Sequence, residues 1–193
     1  MKQFIYAVVA VIVIAVAFNL FNPAVNTVED LPFISVDKTF DRSEDDYVVY
    51  FYQDDCSHCK EFEPHLIENV ATYNTSAYIV DMKESENTVA WYDWAAHSEK
   101  YDKVIGKVID DKEVLNDGES HDDYPASEGW SISRDGDDLV ATYNMAMNNK
   151  NPQSASELEI AGTPTLIRIK DGKVAAYGEG IVENTAILEE MTK

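Results

Sequence analysis

Residues 47–64 read YVVYFYQDDCSHCKEFEP and carry both cysteines of the chain. The valines and aromatic residues of the first six positions are typical of a buried strand. Two aspartates and Cys56 interrupt this apolar run, and a helix-favouring segment begins at Ser57. The sequence therefore predicts that Cys56 and Cys59 lie where a strand ends and a helix begins.

This position predicts a reactive sulfur at Cys56. The first backbone N–H groups of a helix lack acceptors within the helix, and the positive end of the helix dipole favours an anion. We therefore expect the thiolate of Cys56 to be favoured over its thiol. A stabilised thiolate is both a nucleophile and a good leaving group, and thiol-disulfide exchange requires both properties.

Two other roles for the cysteines remain as alternatives. A purely structural disulfide is possible, although closing so short a loop gives little entropic stabilisation. A zinc site would need two further ligands, but no second pair of residues has ligand spacing, so we expect no metal. The histidines available for such a site are His58, His65, His97 and His121.

The composition is strongly acidic. The 193 residues include 36 Asp and Glu against 15 Lys and Arg, for a formal net charge of −21. Nucleic acids and anionic membrane surfaces would repel such a chain, so we do not expect them as partners. The acidity indicates a solvated surface, and a second interpretation is attraction to basic, unfolded client chains.

The N-terminus contains a candidate membrane segment. Residues 4–21 carry no charge, and as a helix they would extend about 27 Å, just enough to cross a bilayer. Lys2 precedes this run and Glu29 follows it, which favours a cytoplasmic N-terminus and an extracytoplasmic domain, where disulfides persist. Secretion after cleavage near Ala17 is the alternative. The predicted divisions are a membrane anchor or signal at 1–22, a linker at 23–30 and one domain at 31–193.

A second informative block, IAGTPTLIRIKDGKVAAYGEG, spans residues 160–180. Gly162 to Thr165 break the chain before an apolar strand at 166–169. Asp171-Gly172 is a strong hairpin signal, and residues 174–177 are predicted to pair back. The remaining predicted elements are a possible first strand at 32–40, a helix at 61–73 kinked at Pro64, a strand at 77–80 and a closing helix at 184–191.

The two blocks together resemble the thioredoxin-like thiol-disulfide oxidoreductases. Residues 56–60, CSHCK, followed by Pro64, are similar to the family's cysteine motif, and residues 160–180 are similar to its cis-proline segment. The resemblance implies an α/β thioredoxin-like fold, with a central mixed sheet flanked by helices. It also implies that the only redox group is the Cys56–Cys59 disulfide, without a cofactor.

The resemblance assigns roles to several residues. Cys56 would form a mixed disulfide with the client, and Cys59 would resolve it. The peptide bond before Pro164 would be cis and lie against the cysteines, and the backbone of Thr163 would hydrogen-bond to an extended client. We expect Ser57 to join these two residues in contacting the client.

Two positions depart from the family or tune its chemistry. Tyr50 stands where many thioredoxins have a buried aspartate that assists proton transfer, so the proton acceptor for Cys59 is left open between solvent and Glu63. A histidine at the position of His58 resembles strongly oxidising family members and would stabilise the thiolate, whereas the aspartates before Cys56 oppose it. We predict a poise more oxidising than that of thioredoxin.

A long insertion, at about residues 84–159, separates the two blocks. Residues 88–109 carry an approximate helical stripe of apolar and aromatic residues, which predicts core packing, with a client-binding groove as the alternative. Residues 110–128 are acidic and predict a mobile loop. The segments 130–132 and 139–143 are predicted to form a hairpin, although 139–147 could be helical.

Together with this resemblance, the sequence predicts an extracytoplasmic bacterial enzyme that exchanges thiols and disulfides with protein or peptide clients and with a redox partner protein. The alternative function is an accessory or binding protein for export of a secreted peptide such as a bacteriocin. Such proteins are similar in layout, because they join an N-terminal apolar segment to a CxxC domain.

Overall fold

A computed structural model describes residues 25–192, so the predicted membrane segment and the first residues of the linker lie outside the described part. Within the described residues no helix is both long and apolar enough to cross a membrane. The helices are α1 (Ser57–Tyr73), α2 (Trp94–Tyr101) and α3 (Gly180–Met191). The strands are β1 (Asp46–Tyr52), β2 (Ala77–Asp81), β3 (Lys103–Ile109), β4 (Lys112–Leu115), β5 (Trp130–Asp135), β6 (Asp138–Tyr143), β7 (Thr165–Lys170) and β8 (Lys173–Glu179).

The central sheet has the strand order β2-β1-β7-β8. Strand β1 pairs in parallel with β2 and antiparallel with β7, which makes this sheet mixed. Because β1 lies in the interior and is covered on both faces, it needs a continuous apolar sequence. This requirement explains the run of valines and aromatic residues. The position of β1 confirms the predicted strand.

Side chains of β1 alternate between two cores. Tyr50 packs with Phe62 of α1 and Ile187 of α3 on one face. Phe51 packs with Ile167 of β7 and with Ile160, the first residue of the second block, on the other face. Full burial of each such aliphatic or aromatic side chain stabilises the fold by about 1.5–3 kcal/mol. The two faces therefore hold α1 and α3 on one side and the start of the β7 segment on the other.

The hairpin of β7 and β8 turns at Asp171 and Gly172, as predicted. Both residues have positive φ, of 50° and 72°, which is the conformation of a two-residue turn that matches the twist of the strands. The helix that follows β8 begins at Gly180, four residues before the predicted start. Residues 32–40 do not form the possible first strand; they make only a bridge from Phe33 to Ile79 and a short 3-10 turn.

The insertion forms a second sheet of four antiparallel strands in the order β4-β3-β6-β5. Its own small core is built around Ile105, Tyr124, Leu139 and Ala141. The predicted hairpin of 130–132 with 139–143 is confirmed by the pairing of β5 with β6.

Two predictions for the insertion are wrong. The stripe at 88–109 is α-helical only in α2, and residues 88–90 form a 3-10 turn. Residues 103–109 form a strand in which Ile105 points into the core and Val104 is exposed. The loop predicted for 110–128 contains β4 and two 3-10 turns. Asp110 and Asp111 both adopt positive φ and form a tight turn between β3 and β4. The acidic residues of this segment therefore do not prevent the two strands from pairing.

A part-buried ion pair joins β1 to β7. Arg168 donates two hydrogen bonds to the carboxylate of Asp46, of 2.8 and 2.6 Å, and they hold the pKa of Asp46 below its usual value. A carboxyl with a lowered folded pKa stabilises the fold above the unfolded pKa, and that contribution is lost as the pH falls through the folded value.

We predict that Asp46→Asn lowers the free energy of unfolding by about 1 kcal/mol at neutral pH, because the pair is charge-assisted but partly exposed. The difference from the unsubstituted protein should shrink as the pH falls below 3.8, the usual value for this carboxyl. Urea denaturation at several pH values measures it. Asp138→Asn, which removes a more exposed pair with Lys107, is the control and should change stability less. A difference that is constant with pH would contradict this account.

Candidate active site

The two cysteines lie at the start of α1 and form a disulfide. Cys56 is the N-cap of the helix, and its Sγ accepts a hydrogen bond of 3.1 Å from the backbone amide of Cys59. Cys56 is partly exposed, whereas Cys59 is fully buried. An incoming thiolate can therefore reach Sγ of Cys56 and not that of Cys59.

The segment before β7 lies directly against the disulfide. The peptide bond between Thr163 and Pro164 is cis, and the carbonyl oxygen of Thr163 is 3.5 Å from Sγ of Cys56. The hydroxyl of Thr163 donates to the side-chain carbonyl of Gln53 at 3.1 Å. The structure thus brings Thr163 and Pro164 to the cysteine pair, although more than a hundred residues separate them along the chain.

Two residues of α3 donate hydrogen bonds to the cis-proline, and one of them is buried. The carbonyl oxygen of Pro164 accepts hydrogen bonds from the backbone amide of Gly180, at 2.8 Å, and from the amide side chain of Asn184, at 3.2 Å. Asn184 is fully buried. Sequence reasoning missed Gln53 and Asn184, because neither belongs to a recognisable motif.

Ser57 and His58 occupy the first turn of α1 and are both exposed. Neither side chain is bonded to another group of residues 25–192, so both face solvent beside Cys56. Contact between Ser57 and a client remains a prediction. The effect of His58 on the thiolate remains a prediction.

A lysine that sequence reasoning did not single out lies next to the two aspartates before Cys56. Nζ of Lys83, in the turn after β2, is 2.8 Å from Asp54 and 3.2 Å from Asp55. The hydrogen bond from Lys83 is the main reason that the pKa of Asp54 is lowered. The lysine offsets part of the negative charge that opposes a thiolate at Cys56.

Tyr50, which replaces the expected aspartate, cannot act as a base. Its hydroxyl is buried and donates a long hydrogen bond of 3.4 Å to the carbonyl of Cys59, and burial raises its pKa far above the usual value. Glu63 lies one helical turn after Cys59, and burial together with the nearby charge of Glu29 raises its pKa. Of the two open candidates for the proton acceptor, Glu63 therefore has an environment that favours accepting a proton.

The described part of the chain contains no group of three His, Cys, Asp or Glu side chains that could hold a metal ion. The buried His97, one of the four histidines considered above, uses both ring nitrogens for hydrogen bonds of 2.8 Å to Tyr92 and to the carbonyl of Tyr143. His97 therefore supports the packing of α2 on β6.

A mixed sheet that carries a cysteine pair at a helix start, opposite a cis-proline, defines a thiol-disulfide oxidoreductase site. A family model described as a thioredoxin-like domain matches residues 36–193. The chain therefore belongs to the thioredoxin-like family, which agrees with the resemblance found in the sequence.

Solved structures that are similar to this chain include two thioredoxins. Oxidized mitochondrial thioredoxin 3 from Saccharomyces cerevisiae is 15% identical, with 84% of this chain and 93% of that chain covered and a TM-score of 0.40. Thioredoxin f2 from Chlamydomonas reinhardtii is 12% identical, with 84% and 94% covered and a TM-score of 0.41. A search of curated proteins finds no match.

We predict that Lys83→Gln lowers the thiolate fraction of reduced Cys56 at neutral pH, because the two neighbouring aspartates then act without a counter-charge. The change should be less than about threefold, since exposed charges are screened. The rate of alkylation by iodoacetamide measures it. Lys107→Gln, which removes another exposed ion pair, on the insertion, should have no effect. An unchanged rate for Lys83→Gln at low salt would show that the lysine does not influence the sulfur.

Proposed function

We propose that this thiol-disulfide oxidoreductase works outside the cytoplasm, tethered to a membrane, and exchanges disulfides with protein or peptide clients at a poise more oxidising than that of thioredoxin. The observation that carries the proposal is the unequal exposure of the two sulfurs beside Thr163. The uncharged run at residues 4–21 supports the tether and the compartment.

The geometry fits exchange in two steps. A client thiolate attacks Sγ of Cys56, a mixed disulfide forms, and the Cys56–Cys59 bond breaks to leave a thiolate on Cys59 that takes up a proton. A second client thiolate then attacks the client sulfur of the mixed disulfide and releases Cys56 as a thiolate. The client gains a disulfide and loses two electrons, and the enzyme gains a dithiol. Reversing both steps reduces a client, so the same site serves either direction.

Three groups support these steps. The amide of Cys59 donates to Sγ of Cys56 and stabilises the thiolate when it leaves. Glu63 follows Cys59 by four residues on α1 and has a raised pKa, so we assign to it the proton of Cys59 when that thiol must attack. The backbone amide of Thr163 donates to no other group within residues 25–192, so it is available to pair with an extended client.

The Cys59→Ser variant tests the function. Without a resolving thiol, the mixed disulfide between Cys56 and the client should accumulate, and mass spectrometry of the captured species identifies the client. The control is Cys56→Ser, which keeps a thiol but should trap little because Cys59 is buried. If both variants trap nothing and both retain full biological activity, the redox chemistry is incidental, and the accessory role in peptide export becomes the better account.

The redox poise is a separate prediction. We expect the reduction potential of the Cys56–Cys59 disulfide to be higher than that of thioredoxin, because the helix start, His58 and Lys83 favour the thiolate more than the neighbouring aspartates oppose it. Equilibration with defined glutathione ratios, followed by alkylation, measures the potential. His58→Pro should lower it. A potential at or below that of thioredoxin would refute this part of the proposal.

A further inference from the structure

A groove of about 750 Å³ lies beside the cis-proline. It is open to solvent, and residues of the insertion line the side opposite α3. Thr163 and Pro164 form its end nearest the disulfide, and α3 forms one wall. The opposite wall comes from the insertion. The insertion residues of that wall are Trp94, Asn144, Met145, Ala146 and Lys150.

The insertion wall is fixed to the cis-proline segment. Nε1 of Trp94 donates a hydrogen bond of 2.9 Å to the carbonyl of Ala161, two residues before Thr163. The ring of Trp94 also packs edge-on against Tyr92 and His97, with centroid separations of 5.1 Å. These contacts fix the separation between the wall and the disulfide. A surface that is already in place loses less conformational entropy when it binds a partner.

The same wall exposes two large apolar side chains to solvent. Met145 is 54% exposed and Trp94 is 38% exposed. Methionine adapts its shape to varied partners, and an exposed aromatic ring beside it offers a rigid surface. These two side chains therefore favour apolar side chains as the occupant of the groove.

The charges of the groove select against an acidic occupant. Lys150 is paired with Glu179 at 2.5 Å, which leaves Glu183 as a carboxylate without an ion pair among the described residues. Glu183 accepts a hydrogen bond from the backbone amide of Glu179 and is exposed. The formal charge of −21 adds long-range attraction for cations and repels a second copy of this chain.

We propose that the insertion and the cis-proline segment together bind one kind of occupant, an extended client segment with an apolar residue near its cysteine and a lysine or arginine beyond it. This inference rests on the proposed function. Thr163 lines the groove, and its carbonyl oxygen lies 3.5 Å from Sγ of Cys56. A chain bound in the groove thus brings its cysteine to the disulfide. Apolar side chains are accessible in unfolded segments, so the client is an unfolded or exported chain.

The test uses the full oxidised chain in a non-ionic detergent and three synthetic peptides with one cysteine each. One peptide carries lysines and leucines, the second carries lysines and serines, and the third carries glutamates and leucines. The second-order rate of reaction with Cys56 is measured for each peptide and divided by the rate for 2-mercaptoethanol, a small neutral thiol. This ratio removes differences in the intrinsic reactivity of the disulfide.

We expect the lysine–leucine peptide to react at least about tenfold faster than the glutamate–leucine peptide at low salt, and the preference should fall as salt is added. Glu183→Gln should reduce this charge preference about twofold or more, whereas Glu190→Gln, on the same helix and outside the groove, should not. Met145→Ala should reduce the advantage of leucines over serines. Val114→Ala, an equally exposed apolar position on the second sheet, should leave it unchanged.

Two results would overturn the inference. If the three peptides react at equal normalised rates, or if the control variants reduce the preferences as much as the groove variants do, the groove does not select the client, while the proposed function stands. If 2-mercaptoethanol does not open the disulfide at all, the proposed function fails, and this inference fails with it.

Discussion

The hydrogen bond from the amide of Cys59 to Sγ of Cys56 is the interaction on which the rest of this site depends. It exists because β1 ends just before the cysteines and α1 begins at them, so a sulfur takes the place of the usual oxygen at the N-cap. The core packing of β1 and Phe62 fixes the two elements that meet there. Stability of the fold and reactivity of the sulfur therefore have the same structural origin.

The cis-proline segment reaches the disulfide through a second set of contacts. Gln53 holds the hydroxyl of Thr163, and Asn184 with the amide of Gly180 holds the carbonyl of Pro164. These contacts come from the residue that follows β1 and from α3. The insertion adds the bond from Trp94 to Ala161, so it supports the site as well as lengthening its surface.

Much of the fold and the centre of the site follow from local sequence patterns. Strand β1, the start of α1 and the turn at Asp171 each have strong short-range signals, and the structure has all three. The segments whose predicted structure is wrong have weak or ambiguous periodicity. In β3 the bulky residues are close enough in sequence to fit a helix, and pairing with β4 and β6 makes this segment a strand.

The missed site residues share a different cause. Lys83, Gln53 and Asn184 act through contacts between residues that are distant in sequence, and no local pattern marks them. The insertion wall belongs to the same class, because Trp94 is 67 residues away in sequence from Ala161, to which it donates a hydrogen bond. Long-range pairing of this kind is a property of the folded chain, and single-sequence reasoning has no direct access to it.

The central claim is that placement at the helix start makes Cys56 the reactive sulfur. Its most direct test is to reduce the protein, expose it briefly to limiting iodoacetamide at slightly acidic pH, and map the labelled cysteine. The account predicts label on Cys56 at a rate well above that of the urea-unfolded chain, with Cys59 labelled only after unfolding. Equal labelling of both cysteines in the folded protein, or a folded rate no higher than the unfolded rate, would contradict it.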